Sequence, residues 1–131
     1  MTDQKGSHQG SMDDLITVKG TEFLKYGRFG NPHKRLVSLD SNKSTIIWRD
    51  PKTPTEKPRS ILCMDIKEVI IGSDYTTVMR KHKIPTEFDQ SCISIITKKR
   101  TLDLRHDNSR VVKTWYDKVR LIIRSNEQLR E

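Results

Sequence analysis

The chain alternates short apolar runs with turn residues for most of its length, then changes period once near its end. Residues 1–14, MTDQKGSHQGSMDD, are polar and aperiodic, which predicts a flexible tail, and GSHQGSM before a second Met resembles a cloning leader. Thr21–Gly27 reads as a first strand, and GNP (Gly30–Pro32) supplies turn chemistry. His33–Asp40 follows as a strand in which Arg35, Val37 and Leu39 share one face. DSNK (Asp40–Lys43) is a tight turn into Ser44–Arg49. Three prolines in DPKTPTEKP (50–58) exclude a central strand and predict a loop. Arg59–Met64 and Asp65–Gly72 read as two strands and Thr77–His82 as a short helix. SCISIITK and RTLDLRH form a hairpin turning at Lys98–Arg100. From Asn108 to Ser125 the period becomes helical, with Val112, Trp115, Tyr116, Val119, Ile122 and Ile123 on one face. Asp107 or Asn108 can cap that helix, and Arg120 and Arg124 suit its dipole. Residues 126–131 read as a polar tail. Seven strands and one helix predict a mainly β domain over residues 15–125, an antiparallel sheet closed by a C-terminal helix. Trp115 is expected in its core, with Trp48 packing at the end of the third strand.

Charge changes this picture from a fold to a partner. The net charge is +8, and the segment Lys19–Arg59 holds ten Lys/Arg against four Asp/Glu, so most of the excess lies in one third of the chain. An anionic partner is implied. Nucleic acid is not expected, because the sequence has neither a recognition-helix pattern nor an aromatic stacking platform. His8, His33, His82 and His106 are scattered without metal-ligand or catalytic spacing, and GRFG is too short for a phosphate loop, so no metal, cofactor or catalysis is expected. Asp103 and Asp107 read as surface carboxylates. Cys63 and Cys92 sit in apolar runs and read as buried, reduced thiols. No apolar run reaches the ~18 residues of a membrane span. No secretory signal is visible and the chain does not begin with Met-Gly, so the expectation is a cytoplasmic protein without a myristoylation motif as written.

Several segments resemble one family in the right order. FLKYGRFGNPHKRLVSLD resembles the first hairpin of the pleckstrin homology (PH) domain of delta-type phosphoinositide-specific phospholipase C. STIIWRD is similar to its third strand, MDIKEVIIG to a later one and SCISIITKKRTLDLR to its last hairpin, and Trp115 stands where the family keeps a helix Trp. The match covers roughly Leu15–Ser125. The chain also resembles, in size, small stand-alone acylated PH-domain proteins of apicomplexan type. The resemblance implies a PH-like seven-stranded sandwich or barrel with a C-terminal helix. It also implies a monomeric, non-catalytic module, peripheral on a membrane surface.

What the family does with its first hairpin is hold phosphate headgroups, and the residues matching that role here are Lys25 and Arg35. Polyanion recognition takes cations converging from neighbouring backbone positions. Gly27 stands where the phospholipase domain has a second Lys, and Arg28 follows with a different reach. His33 occupies a further basic position, and its charge depends on pH. Lys34 is in the same cluster, although alternation points it to the other face. Lys52 and Lys57 in the Pro-rich loop, and Lys98, Lys99 and Arg100 in the last turn, are expected to flank the same mouth. These departures weaken the case for tight, selective bisphosphate binding and fit a looser site, for phosphatidic acid or for anionic surfaces in general. The expected partner is an anionic membrane presenting phosphatidic acid or a phosphoinositide. Tyr26 and Phe29 are candidates for insertion into the lipid interface, Phe29 between Gly27 and Gly30 at the loop tip. The alternative reading is an adaptor that takes a protein or peptide partner, in the groove between the last helix and the fifth strand.

Overall fold

The computed structural model describes residues 16, 19–53 and 55–130, so the N-terminal tail lies outside the described residues. Seven strands are present: β1 (Thr21–Tyr26), β2 (His33–Asp40), β3 (Thr45–Arg49), β4 (Arg59–Leu62), β5 (Ile66–Ile71), β6 (Cys92–Thr97) and β7 (Thr101–Arg105). Among the described residues the helices α1 (Thr77–His82) and α2 (Ser109–Arg130) follow the order read from the sequence. The strands form one antiparallel sheet in the order β4-β3-β2-β1-β7-β6-β5. The sheet curls around a single main core that draws on every strand: Phe23, Val37, Ile46, Trp48, Ile61, Val69, Ile93, Ile95, Leu102 and Leu104 all belong to it. The two edge strands, β4 and β5, do not pair, and α2 packs against β5 and the 3₁₀ turn Cys63–Asp65 between them.

Local chemistry accounts for these elements. The inward face of β2 grades from exposed His33 through half-buried Arg35 to buried Val37 and Leu39, so one strand face runs from solvent into the core. Gly20 takes a positive φ of 79°, and a Cβ there would come within 3.0 Å of the Val37 carbonyl oxygen, which only glycine avoids. Gly30 also has a positive φ, 75°, in the turn between β1 and β2. Helix α2 buries Val112, Trp115, Val119 and Ile123, the expected apolar face. Trp115 donates its indole N–H to the Thr21 hydroxyl at 2.9 Å, which ties the helix to the start of β1. Asn108 caps it, its side-chain oxygen accepting from the Arg110 N–H at 2.9 Å.

Three expectations change. The last helix continues past Ser125 to Arg130, because Asn126, Glu127, Gln128 and Leu129 include neither Gly nor Pro. Asn126 also donates its side-chain amide to the Cys63 carbonyl at 2.9 Å. Asp103 is not a surface residue but is buried. Its Oδ1 accepts from Thr76 Oγ1 at 2.6 Å and Ser94 Oγ at 2.7 Å, and its Oδ2 from Thr101 Oγ1 at 2.6 Å. Finally, Tyr26 is buried, in a second small cluster with Met79 and Cys92. Helix α1 and the 3₁₀ turn Thr86–Ser91 cover the outer face of the sheet there, with Val78, Ile84 and Phe88 packed on the cluster. Both cysteines are buried free thiols, Cys63 in the main core and Cys92 in the second cluster. Burial pushes the Cys63 thiol upward. Burial also pushes Cys92 up to about 11, against the opposing pull of Arg105.

Candidate functional site

A cleft of about 940 Å³ opens beside the β1–β2 loop. Its walls carry Lys25, Arg28, Arg59, Lys81, Lys99 and Arg100, with Asp103 as the one carboxylate in the lining. These cations come from five separate places in the sequence, and strand alternation explains how the strand residues meet. Lys25 lies two residues beyond the core residue Phe23, on the same face of β1. Arg35 lies two residues before buried Val37 on β2. Arg59 stands opposite Trp48 in the β3–β4 register, and Val37 stands opposite Trp48 on its other side. Trp48 is buried and does not line the cleft itself, but two of the lining cations lie over its ring. The Lys25 ammonium lies 5.9 Å from the centre of its ring, and the Arg100 guanidinium 5.0 Å.

The crowding has an electrostatic signature. Burial lowers the affinity of Lys25 for its proton, and Arg100, Arg59 and Arg35 lower it further, opposed only by Asp103. Arg100 is exposed at its periphery, yet burial of its inner part and then Arg59 press its pKa downward too. Like charges gathered without enough counter-charge are stabilised by an anion arriving from solution. That is the chemistry this arrangement can perform.

The other residues expected in the mouth divide clearly. Arg28, Lys99 and Arg100 line the cleft. Arg35 lies behind it, its guanidinium donating to the Lys34 carbonyl at 2.7 Å and 3.9 Å from Asp50 Oδ2. Asp50 also accepts from the Lys52 backbone N–H, so it both shapes the β3–β4 loop and faces Arg35. His33, Lys52, Lys57 and Lys98 are exposed and outside the lining of the cleft. Lys34 points to the opposite face of β2, where its ammonium lies 3.7 Å from Glu22. It therefore belongs to the other surface of the hairpin. Phe29 is 85% exposed at the loop tip, whereas the Tyr26 ring is packed edge-on against His82 and has no free face to insert.

Two lining cations, Arg59 and Lys81, had no role in the sequence reading. The signal for Arg59 was available: it lies two residues before buried Ile61, as Arg35 does before Val37. Lys81 reaches the cleft from α1, which is held against the loop by a bond from His82 Nε2–H to the Gly27 carbonyl at 2.8 Å. No local pattern announces that contact.

No family profile matches the chain, and no curated protein matches it. Solved structures do. The chain is similar to Inner Membrane Complex sub-compartment protein 1 from Toxoplasma gondii, at 16% identity over 87% of this chain and 89% of that one, TM-score 0.65. It is similar to PLC21 from S. officinalis at 17% identity, over 81% of this chain and 15% of that one, TM-score 0.61. A third similarity is to the PH domain of human TBC1 domain family member 2, at 13% identity over 86% of this chain and 84% of that one, TM-score 0.60. At these identities the likeness is one of fold: seven antiparallel strands curled around one core and closed by a C-terminal helix, so the chain has the pleckstrin homology fold.

Proposed function

We propose that this chain is a membrane-targeting module that holds an anionic phosphate headgroup, phosphatidic acid or a phosphoinositide, at the basic mouth while Phe29 enters the lipid interface. One observation carries the reading: Lys25, Arg59 and Arg100 converge around the buried Trp48 ring, with Asp103 the one carboxylate in the cleft. The fold is one that commonly binds lipids or proteins and is generally non-catalytic. No helix among the described residues is long and apolar enough to cross a membrane. Full burial of Phe29 would contribute about 1.5–3 kcal/mol, and each Lys or Arg near an anionic leaflet about 1 kcal/mol. Together these terms reach useful affinity, and neither does alone.

Liposome co-sedimentation at physiological salt tests it, with neutral vesicles alone or carrying phosphatidic acid, phosphatidylserine or single phosphoinositides. The expected result is selective pelleting with one phosphate-bearing lipid. Lys25→Ala and Arg100→Ala should each weaken it at least about tenfold, because each removes a charge-assisted contact. Phe29→Ala should weaken vesicle binding by a similar factor while leaving affinity for the soluble headgroup unchanged. Equal pelleting with every anionic lipid at matched charge would reduce the mouth to a nonspecific basic surface. No pelleting at all would overturn the reading.

A further inference from the structure

At the far end of β2 and β3 from the basic mouth, the molecule carries a second cleft of different character, about 530 Å³. One wall is α2, through Lys118, Leu121, Ile122, Asn126 and Leu129. The other is the end of β4 with the following turn, through Leu62 and Met64, and the β2–β3 turn, through Lys43. Among the described residues six large hydrophobic side chains are exposed, and four of them, Leu62, Met64, Leu121 and Leu129, share this groove. Exposed apolar residues scattered singly need no explanation, but four gathered along one cleft mark a contact surface. Both charged residues in the lining, Lys43 and Lys118, are positive. Positions 118, 121, 122, 125 and 129 recur at helical spacing, so the groove follows about three turns of α2.

The groove is not the one expected between α2 and β5. That flank is closed, because α2 packs directly on β5. We infer that the open flank, between α2 and the β4 end, is a docking groove for an amphipathic acidic segment of a protein partner, which lays apolar side chains along Leu121, Leu129 and Leu62 and sets carboxylates against Lys43 and Lys118. The apolar length fixes the shape of the occupant, a helix or extended segment lying parallel to α2. The lysines fix its sign, since an anionic flank gains attraction and a basic one meets like charge. Vesicle binding through the mouth does not enter this inference.

The test uses the full chain and two labelled 18-residue amphipathic peptides with the same Leu/Ile face, one carrying Glu on its polar positions and one carrying Lys. Fluorescence anisotropy should show the Glu peptide binding at least about tenfold more tightly. The double substitution Leu121→Glu and Leu129→Glu should lower that affinity at least about tenfold, and Lys118→Glu, which leaves only Lys43 positive and balances it, should narrow the preference between the peptides at least about threefold. All three side chains project from the helix surface, and circular dichroism melting confirms that the variants fold. Equal binding of the two peptides, or binding indifferent to these substitutions, overturns the inference. So does a dimer in sedimentation velocity that Leu129→Glu abolishes, which assigns the groove to a second copy. A rise in peptide affinity in Asp13→Lys/Asp14→Lys also overturns it, by assigning the groove to the acidic Met12–Leu15 stretch of the chain itself.

Discussion

Strands β2 and β3 each run from one cleft to the other, and the two ends are built on opposite physics. At the His33 and Arg49 end, cations crowd above Trp48. At the Asp40 and Thr45 end, large apolar side chains stand open to water. The eight residues of β2 separate them by roughly 25 Å. Each end is locally unfavourable in the free protein, the first through like-charge repulsion and the second through exposed apolar surface. Each gives up a little stability that a ligand would return. The difference lies in the response. The mouth should answer to salt and pH, because its interactions are coulombic. The groove's apolar contacts should answer little, with only Lys43 and Lys118 adding a screened component.

The largest effect is expected where the mouth meets the core. Asp103 is buried at the base of the cleft and accepts from three hydroxyls, of Thr76, Ser94 and Thr101. Asp103→Ala would leave those donors without their acceptor and remove the one carboxylate in the lining of the cleft. A loss of about 2–4 kcal/mol is expected in urea unfolding. Asp103→Asn should lose less, because an amide oxygen still serves Thr76 and Ser94. Equal losses would mean that the charge of Asp103, and not its hydrogen bonds, holds this end together.

Much of this was legible beforehand, and the exceptions share a cause. The grading of β2 from His33 to Leu39, the opposite facing of Lys34 and the apolar stripe of α2 all follow from period alone. The burial of Asp103 and Tyr26 and the arrival of Lys81 do not, because each depends on α1 and the Thr86–Ser91 turn lying over the outer face of the sheet. The sequence held one hint. Cys92, Ile93, Ser94 and Ile95 are buried in succession on β6, and a strand buried on both faces needs a cover on both. Reading that run as a doubly covered strand would have placed a lid over β6 and β7, and Asp103 beneath it.

The second effect separates binding from stability. Lys25 is held below its ordinary pKa, chiefly by burial and then by Arg100, Arg59 and Arg35. Lys25→Met keeps the aliphatic bulk over Trp48 and removes the charge. The free protein should gain about 0.5–2 kcal/mol while losing headgroup affinity. The sign with pH follows from linkage. Between the lowered folded value and the ordinary 10.5, the unfolded chain binds more protons, so the stability of the unmodified protein rises with pH there. The advantage of Lys25→Met should therefore be full below the lowered folded value and shrink as pH rises from there toward 10.5. Thermal melts of both proteins from pH 7 to pH 11 would show it, and a constant difference would place the cost outside Lys25 ionisation.

The smallest effect draws the sharpest line, because it divides neighbours on one strand. Lys34 and Arg35 carry the same charge, but Arg35 faces the mouth side and Lys34 faces Glu22 across the outer surface. The Lys34–Glu22 pair is exposed at 3.7 Å, a geometry worth about 0–1 kcal/mol. Lys34→Ala should hardly move the melting temperature. Calorimetry with a soluble inositol phosphate removes the leaflet, so distant charges add little at physiological salt and only local geometry counts. Under those conditions Lys34→Ala should bind within about twofold of the unmodified protein, whereas Arg35→Ala should lose several-fold. If the two substitutions weaken the soluble ligand equally, the hairpin acts as a diffuse basic patch, and the facing of side chains on β2 has no part in recognition.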